Sequence, residues 1–145
     1  MTTRYDRPSA TARFGNALIR RLAEAGISVA GTRALTVRGR KSGELRGVVI
    51  NLLSVDGVDY LVAPRGETEW VRNARAAGEV LLGPRWRRTP TRVTEVFDDD
   101  KPVVLRQYLR RWHWQVKGFM AGVTPDSDDD ELRSAAPSIP VFSLG

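Results

Sequence analysis

The sequence predicts an α+β fold in which about six mostly antiparallel strands form a small barrel with flanking helices. Short β-rich apolar stretches recur along the chain and are separated by turns that contain glycine or proline. Most of the joining segments have the length of hairpin loops, which favours antiparallel neighbours. The strand–helix–strand rhythm of a doubly wound nucleotide fold is missing, and no linker divides the 145 residues. We therefore expect a single domain spanning 1–145.

The first predicted element is an amphipathic helix at about 10–26. Apolar residues recur at helical spacing at Phe14, Leu18 and Leu22, and Gly26 is a typical residue to end a helix. Several arginines accompany the apolar stripe. Such a helix can cover a sheet edge or a partner, or it can lie on a membrane surface.

Strands dominate the middle and the end of the chain. They are predicted at 33–38, 45–53, 58–63, 79–83, 87–97 and 139–144. The dipeptide Asp56-Gly57 is a hairpin turn signal between the second and third strands. Pro140 places the last strand at an edge of the sheet, or puts the proline near the start of that strand.

Three further helical segments are predicted. The first covers 67–77 and ends at Gly78. The acidic run 98–100 followed by Pro102 starts a helix that reaches about 114. Its apolar face consists of Val104, Leu105, Tyr108, Leu109 and Trp112. The acidic segment 126–135 is interpreted as a loop with a short helix.

Composition excludes several classes of site. The chain has no cysteine and only one histidine, His113, so thiolate zinc sites and disulfides are excluded and we expect no bound metal. No apolar run reaches the ~18 residues of a spanning helix, and we expect a cytoplasmic protein. The net charge of +6 leaves three kinds of partner open: nucleic acid, an anionic membrane or a polyanionic small molecule.

The stretch VRGRKSGELR at 37–46 is a cationic turn between two predicted strands. Its two glycines allow close approach of a ligand to the backbone, and Arg40, Lys41, Ser42 and Arg46 add side-chain donors. It does not fit a Walker A loop, because Arg40 stands where a glycine precedes the lysine. The pattern alone leaves a phosphate site and a solvated hairpin turn equally open.

A second polar cluster, APRGETEWVRNAR at 63–75, begins at a strand end and enters a helix. A helix N-terminus attracts anions. Trp70 offers a planar face, although a tryptophan on a short helix more often belongs to the core, and Asn73 lies one turn later. If the second and third strands are neighbours, both clusters face one groove.

Together, GRKSGELR and APRGETEWVRNARAAGEV resemble the deazaflavin-dependent nitroreductase family of actinobacteria, which includes quinone reductases that use coenzyme F420. The resemblance covers essentially the whole chain. It implies a split β-barrel (FMN-binding-like) and F420 as the cofactor, with FMN as the alternative.

The resemblance also implies which residues hold the cofactor. Its phosphate would be bound by Arg40, Lys41, Ser42, Gly43 and Arg46. Its ring system would be bordered by Ala63, Pro64, Arg65, Gly66, Trp70 and Asn73. Arg72 and Arg75 are candidates for the carboxylates of its tail. The Pro64–Arg65 stretch lacks a serine that many relatives carry there, and whether this abolishes nitroimidazole reduction is left open.

The implied function is an oxidoreductase that transfers a hydride from reduced deazaflavin to a small electron-poor acceptor such as a quinone, an enone or a nitro compound. Tyr108 and His113 are candidate proton donors, ranked behind solvent. A non-catalytic flavin or deazaflavin binder is the alternative. We expect no specific binding of nucleic acid by the RWRR stretch at 85–88. A homodimer and peripheral contact with the inner membrane face remain open.

Overall fold

A computed structural model describes residues 32–84, 86–116 and 120–145. The helix expected at 10–26 and position 85 of the RWRR stretch lie outside the described residues. The six strands within them are β1 (Thr32–Arg38), β2 (Leu45–Val55), β3 (Val58–Val62), β4 (Glu79–Leu82), β5 (Thr89–Glu95) and β6 (Val141–Leu144). They form a closed barrel in the order β1-β2-β3-β6-β5-β4. The predicted α+β barrel is confirmed.

Every neighbouring pair of strands is antiparallel, and β1 closes the barrel by pairing with both β2 and β4. The predicted turn between β2 and β3 is present. Asp56 and Gly57 have φ values of 51° and 81°, as a two-residue hairpin turn requires at both central positions. The turn therefore sets the register in which Val55 faces Val58.

The position of β6 decides between the two interpretations of Pro140, a strand at the sheet edge or a proline near the start of the strand. β6 pairs with β3 on one side and β5 on the other, so its placement at a sheet edge is wrong. The proline immediately precedes the strand, where its missing N–H removes no ladder bond. Its carbonyl oxygen instead accepts a hydrogen bond from the backbone N–H of Ala63, at 2.9 Å.

In the described parts of the chain, three α-helices accompany the strands: α1 (Glu69–Ala77), α2 (Lys101–Val116) and α3 (Asp129–Ala135). Single 3-10 turns at Asp98–Asp100 and Ala136–Ser138 precede α2 and follow α3. The start of α1 is two residues later than predicted, because Gly66 has a φ of 90° and Thr68 is extended. Its end at Gly78, with a φ of 70°, is as predicted. No described helix is long and apolar enough to cross a membrane.

The interior of the barrel forms one core, which we call the interior core. All six strands and α1 contribute to it, and its buried members are Leu35, Val37, Ile50, Leu61, Ala63, Val71, Ala74, Val80, Val93 and Phe142. Helix α1 contacts β1, β4 and β5 and buries Val71 and Ala74 completely. This burial holds α1 against the barrel, with its first turn next to the β1–β2 connection.

A second core lies on the outer side of the barrel, and we call it the outer core. It forms between β2, β3, β6 and the helices α2 and α3; its strand members include Leu53, Val62 and Val141. The side chains of β3 alternate, so that Leu61 belongs to the interior core and Val62 to the outer core. All five residues of the predicted apolar face of α2 are buried here.

Candidate functional site

The cationic turn connects β1 and β2 and has a defined backbone conformation. Gly39 N–H donates to the carbonyl of Glu44 at 2.7 Å, and Gly43 N–H donates to the carbonyl of Gly39 at 2.9 Å. A Cβ atom at Gly39 would lie 2.9 Å from Ser42 Oγ, and Gly43 has a φ of 74°. Gly43 therefore suits the left-handed position of the turn, whereas a side chain at Gly39 would displace the Ser42 hydroxyl.

The turn contacts the first half of α1. Arg40 donates from its backbone N–H and from Nη1 to Asn73 Oδ1, at 3.1 and 2.8 Å. The same Nη1 donates to Glu69 Oε2 at 2.8 Å. The structure thus brings together the two polar clusters of the sequence. We call the surface formed by residues 39–46 and 66–73 the turn–helix site.

The other polar side chains of the turn point to solvent. Lys41, Ser42 and Arg46 are exposed. Arg46 Nη2 lies 3.9 Å from Glu44 Oε2, and Ser42 Oγ accepts the backbone N–H of Glu44 at 3.2 Å. Within 32–84, 86–116 and 120–145, Lys41 has no ion pair. The turn therefore offers cationic donors at its surface.

The segment that leads into α1 is tightly folded. Gly66 N–H donates to Ala63 O at 3.1 Å, and Thr68 N–H donates to Gly66 O at 2.8 Å. Ala63 and Gly66 are buried, whereas Pro64 is partly exposed. Arg65 is partly exposed as well.

Thr68 is a site residue that the sequence interpretation missed. It is the residue before α1, yet its side chain makes no capping bond, and its Oγ1 is a buried atom without a hydrogen-bond partner among the described residues. A buried hydroxyl left unpaired is unfavourable, so this atom is a candidate ligand contact. Threonine directly before a helix is the signal that identifies it.

Trp70 lies between the site and the barrel. Its ring packs against the interior core, 6.1 Å from the ring of Phe142 at an interplanar angle of 52°. The side chain is nevertheless partly exposed. Trp70 is therefore a core residue on one face and available to a planar ligand on the remainder.

Arg75 is engaged in a network of carboxylates. Its Nε and Nη2 donate to Glu95 at 2.8 Å, and its Nη1 and Nη2 donate to Glu67 at 3.0 Å. Hydrogen bonds with Glu95 first, and then with Glu67, raise the pKa of Arg75. Four of its five donors are used, so we assign Arg75 a structural role. Arg72, the other candidate for the cofactor tail, is more exposed.

The two candidate proton donors lie on α2. Tyr108 is 2% exposed, belongs to the outer core, and accepts a hydrogen bond from Asn51 Nδ2 at 3.3 Å. Burial raises its pKa to about 12. His113 is partly exposed beside Trp112, where α2 is kinked. Tyr108 is thus a member of the outer core, whereas Trp70 of the turn–helix site packs on the interior core.

A cavity of about 630 Å³ lies beside α3. Its lining includes Asp128, Asp130 and Glu131. These carboxylates already serve a purpose, because Asp128 and Glu131 form the capping box of α3 and Asp130 pairs with Arg133. An acidic lining is unsuited to an anionic cofactor. Among the described residues, no group of carboxylates and histidine could hold a metal ion.

Comparisons with known proteins identify the fold. The chain matches no protein-family profile and no curated protein. Among solved structures, it is similar to an F420-H2 dependent reductase, with a TM-score of 0.53, 18% identity, and coverage of 79% of this chain and 94% of the other. It is also similar to a protein described as a domain-swapped dimer, with a TM-score of 0.54, 18% identity, and coverage of 93% and 96%.

A third similar structure is a candidate pyridoxamine 5′-phosphate oxidase from Listeria innocua, with a TM-score of 0.50 and 11% identity. The similarity covers 79% of this chain and 82% of the Listeria protein. At these identities the likeness concerns the fold. The fold is a split β-barrel of the FMN-binding-like type, as the resemblance of the motifs implied.

Proposed function

We propose that this protein is an F420-dependent oxidoreductase that reduces a small electron-poor acceptor, such as a quinone, an enone or a nitro compound. The observation that carries the proposal is the contact of Arg40 with Asn73 and Glu69. Through it, the two motifs on which the family resemblance rests form one surface of a split barrel. The similarity of the fold to an F420-H2 dependent reductase supports the proposal.

The turn–helix site fits an anionic cofactor. Lys41 and Arg46 expose cationic donors, and Ser42 has a hydroxyl proton to donate. The N-terminus of α1 adds a favourable dipole, and the unpaired Oγ1 of Thr68 lies there. Phosphate is the ligand group for which these donors are best suited, and it occurs in both F420 and FMN.

The hydride for the acceptor would come from reduced deazaflavin held at the turn–helix site. The chain contributes binding and orientation. The cations of the turn hold the phosphate, Asn73 holds the turn against α1, and the exposed part of Trp70 borders the ring system. Tyr108 is poorly suited to supply the proton, since its hydroxyl is buried and has a pKa of about 12. We expect solvent to supply it.

A direct assay tests the activity. Purified protein is mixed with reduced F420 and menadione in the absence of oxygen, and the return of the oxidised deazaflavin absorbance is followed. We expect turnover that saturates with menadione and is lowered by Lys41→Ala. Binding of F420 without turnover of any acceptor class would favour the non-catalytic binder. Tighter binding of FMN than of F420 would identify FMN as the cofactor.

Two features of the assembly belong to the same proposal. A structure similar to this chain is described as a domain-swapped dimer, and we propose a homodimer here, which light scattering of the purified protein would detect. We also propose a cytoplasmic location, with peripheral contact at the inner membrane face if the acceptor is a lipid-soluble quinone. Fractionation of cells tests the location.

A further inference from the structure

We infer that Glu69 is a positioning residue, which fixes the guanidinium of Arg40 so that its Nε–Nη2 edge receives an oxyanion. The inference deepens the proposed function, on which it depends for the identity of the natural anion. The family resemblance assigned Glu69 no role. Its position on α1, 29 residues from Arg40, is brought to the turn only by the fold.

The hydrogen bonds of the Arg40 guanidinium engage Nη1 and leave the edge formed by Nε and Nη2 for a ligand. Both protons of Nη1 are used, one by Glu69 Oε2 and one by Asn73 Oδ1, each at 2.8 Å. Within the described parts of the chain, no hydrogen bond involves Nε or Nη2 of Arg40. These two atoms form the side-on fork that binds phosphate or carboxylate through two parallel hydrogen bonds. The side chain of Arg40 is 23% exposed, so solvent reaches part of it.

Arg40 is held in place by one buried residue, Asn73, and one exposed residue, Glu69. Asn73 is 3% exposed, and its Oδ1 holds both the backbone N–H and Nη1 of Arg40. Glu69 has a side chain that is 68% exposed, and an ion pair this exposed adds little to folding stability. The hydrogen bond from Arg40 and its charge lower the pKa of Glu69, so the carboxylate is ionised at neutral pH. Its contribution is therefore the orientation of Arg40.

Glu69 has two opposing effects on an incoming anion, and substitutions separate them. Its negative charge weakens binding, whereas its hold on Nη1 strengthens binding because Arg40 has less freedom to lose. Glu69→Gln keeps an acceptor oxygen and removes the charge, so we expect anion affinity equal to or above that of the wild type. Glu69→Ala removes both, and we expect its affinity to be about five- to tenfold below that of Glu69→Gln.

The test follows the arginine Nε–H signals by ¹⁵N NMR during titration with inorganic phosphate. Arg40→Lys identifies the signal of Arg40 by its loss. We expect phosphate to shift this signal in the wild type and in Glu69→Gln, and to shift it only at higher concentration in Glu69→Ala. Glu79→Gln and Glu79→Ala, which change an exposed glutamate outside the site, serve as matched controls and should titrate like the wild type. Thermal melting of each variant checks that it is folded.

Two outcomes would overturn the inference. One is an Arg40 signal that does not respond to phosphate in the wild type. The other is an identical titration in Glu69→Ala and Glu69→Gln. A parallel titration with F420 separates the inference from the proposed function. If phosphate gives the expected pattern but F420 does not bind, the role of Glu69 in orienting Arg40 for an oxyanion is supported and the assignment of F420 as the cofactor is wrong.

Discussion

Replacing Arg75 with alanine should destabilise the protein strongly, although Arg75 lies on a helix of the candidate site. Its guanidinium is bound by Glu67 and Glu95 through four hydrogen bonds of 2.8 to 3.0 Å. Glu67 has a side chain that is only 9% exposed. The substitution therefore leaves a buried carboxylate without its counter-charge.

The size of the effect follows from the burial of the three partners. Removing one member of a fully buried ion pair costs about 3–5 kcal/mol. Here Arg75 and Glu95 have side chains that are 38% and 34% exposed, so only the contact with Glu67 has that character. We expect a loss of about 2–3 kcal/mol in the free energy of unfolding, and a thermal midpoint lower by roughly 6–12 °C for a chain of this size.

Urea denaturation followed by tryptophan fluorescence measures the loss. Arg72→Ala is a matched control on the same helix, because Arg72 is about as exposed as Arg75 but its Nη1 lies 4.0 Å from the exposed carboxylate of Glu69. Its loss should be below about 0.5 kcal/mol. Adding Glu67→Gln to Arg75→Ala removes the buried charge and should recover about 1–2 kcal/mol.

The reasoning is refuted if Arg75→Ala unfolds within about 0.5 kcal/mol of the wild type, the range of ordinary surface changes. It is also refuted if Glu67→Gln makes the Arg75→Ala variant less stable still. Either result would mean that water already solvates the carboxylate of Glu67, and Arg75 would again be available for a ligand.

Three further predictions concern the turn, the outer core and the β4–β5 connection. Lys41→Ala should weaken binding of F420 by roughly tenfold, measured by fluorescence, with the thermal midpoint unchanged, because Lys41 is exposed and forms no ion pair within the described residues. The pKa of Tyr108 is raised to about 12 in the folded state, so its full contribution to the free energy of unfolding should be present below pH 10. That free energy should fall by up to about 2–3 kcal/mol as the pH rises through 12, and Tyr108→Phe should abolish this fall in denaturation measured at several pH values. Gly83→Ala should lower the free energy of unfolding in urea by about 2–3 kcal/mol, because Gly83 has a φ of 107° and the added Cβ would lie 2.6 Å from Arg87 O. As a control, Gly57→Ala should lower it by about 1 kcal/mol, because Gly57 has a φ of 81° but open space around it.

Local sequence signals predicted most of the strands and helices. The turn at Asp56 and Gly57, the end of α1 at Gly78, and the buried face of α2 depend on residues that are close in sequence. Such features follow from backbone freedom and from hydrophobic periodicity. The early start predicted for α1 was wrong because Gly66 and Thr68 adopt extended or left-handed conformations that the pattern of polar residues does not reveal.

Contacts between distant residues were less accessible to prediction. The motifs indicated that the turn and α1 share a surface, but not that Glu69 would bind Arg40, because that contact depends on how α1 packs on the barrel. The same holds for the hydrogen bond from Asn51 to Tyr108, which joins residues 57 positions apart. Alternation and helical spacing show which face is apolar, but the identity of the neighbouring element is decided by tertiary packing.

The equilibrium affinity of the wild-type protein for F420, compared with FMN under the same conditions, tests the central claim most directly. The measurement follows the fluorescence of the deazaflavin and of the protein's four tryptophans during titration, with Lys41→Ala as the reference for loss of a cation of the turn. We expect micromolar binding of F420, weaker binding of FMN, and roughly tenfold weaker binding of F420 by the variant. Absence of F420 binding at micromolar concentrations, or binding that Lys41→Ala leaves unchanged, would contradict the assignment of the turn–helix site to a deazaflavin cofactor.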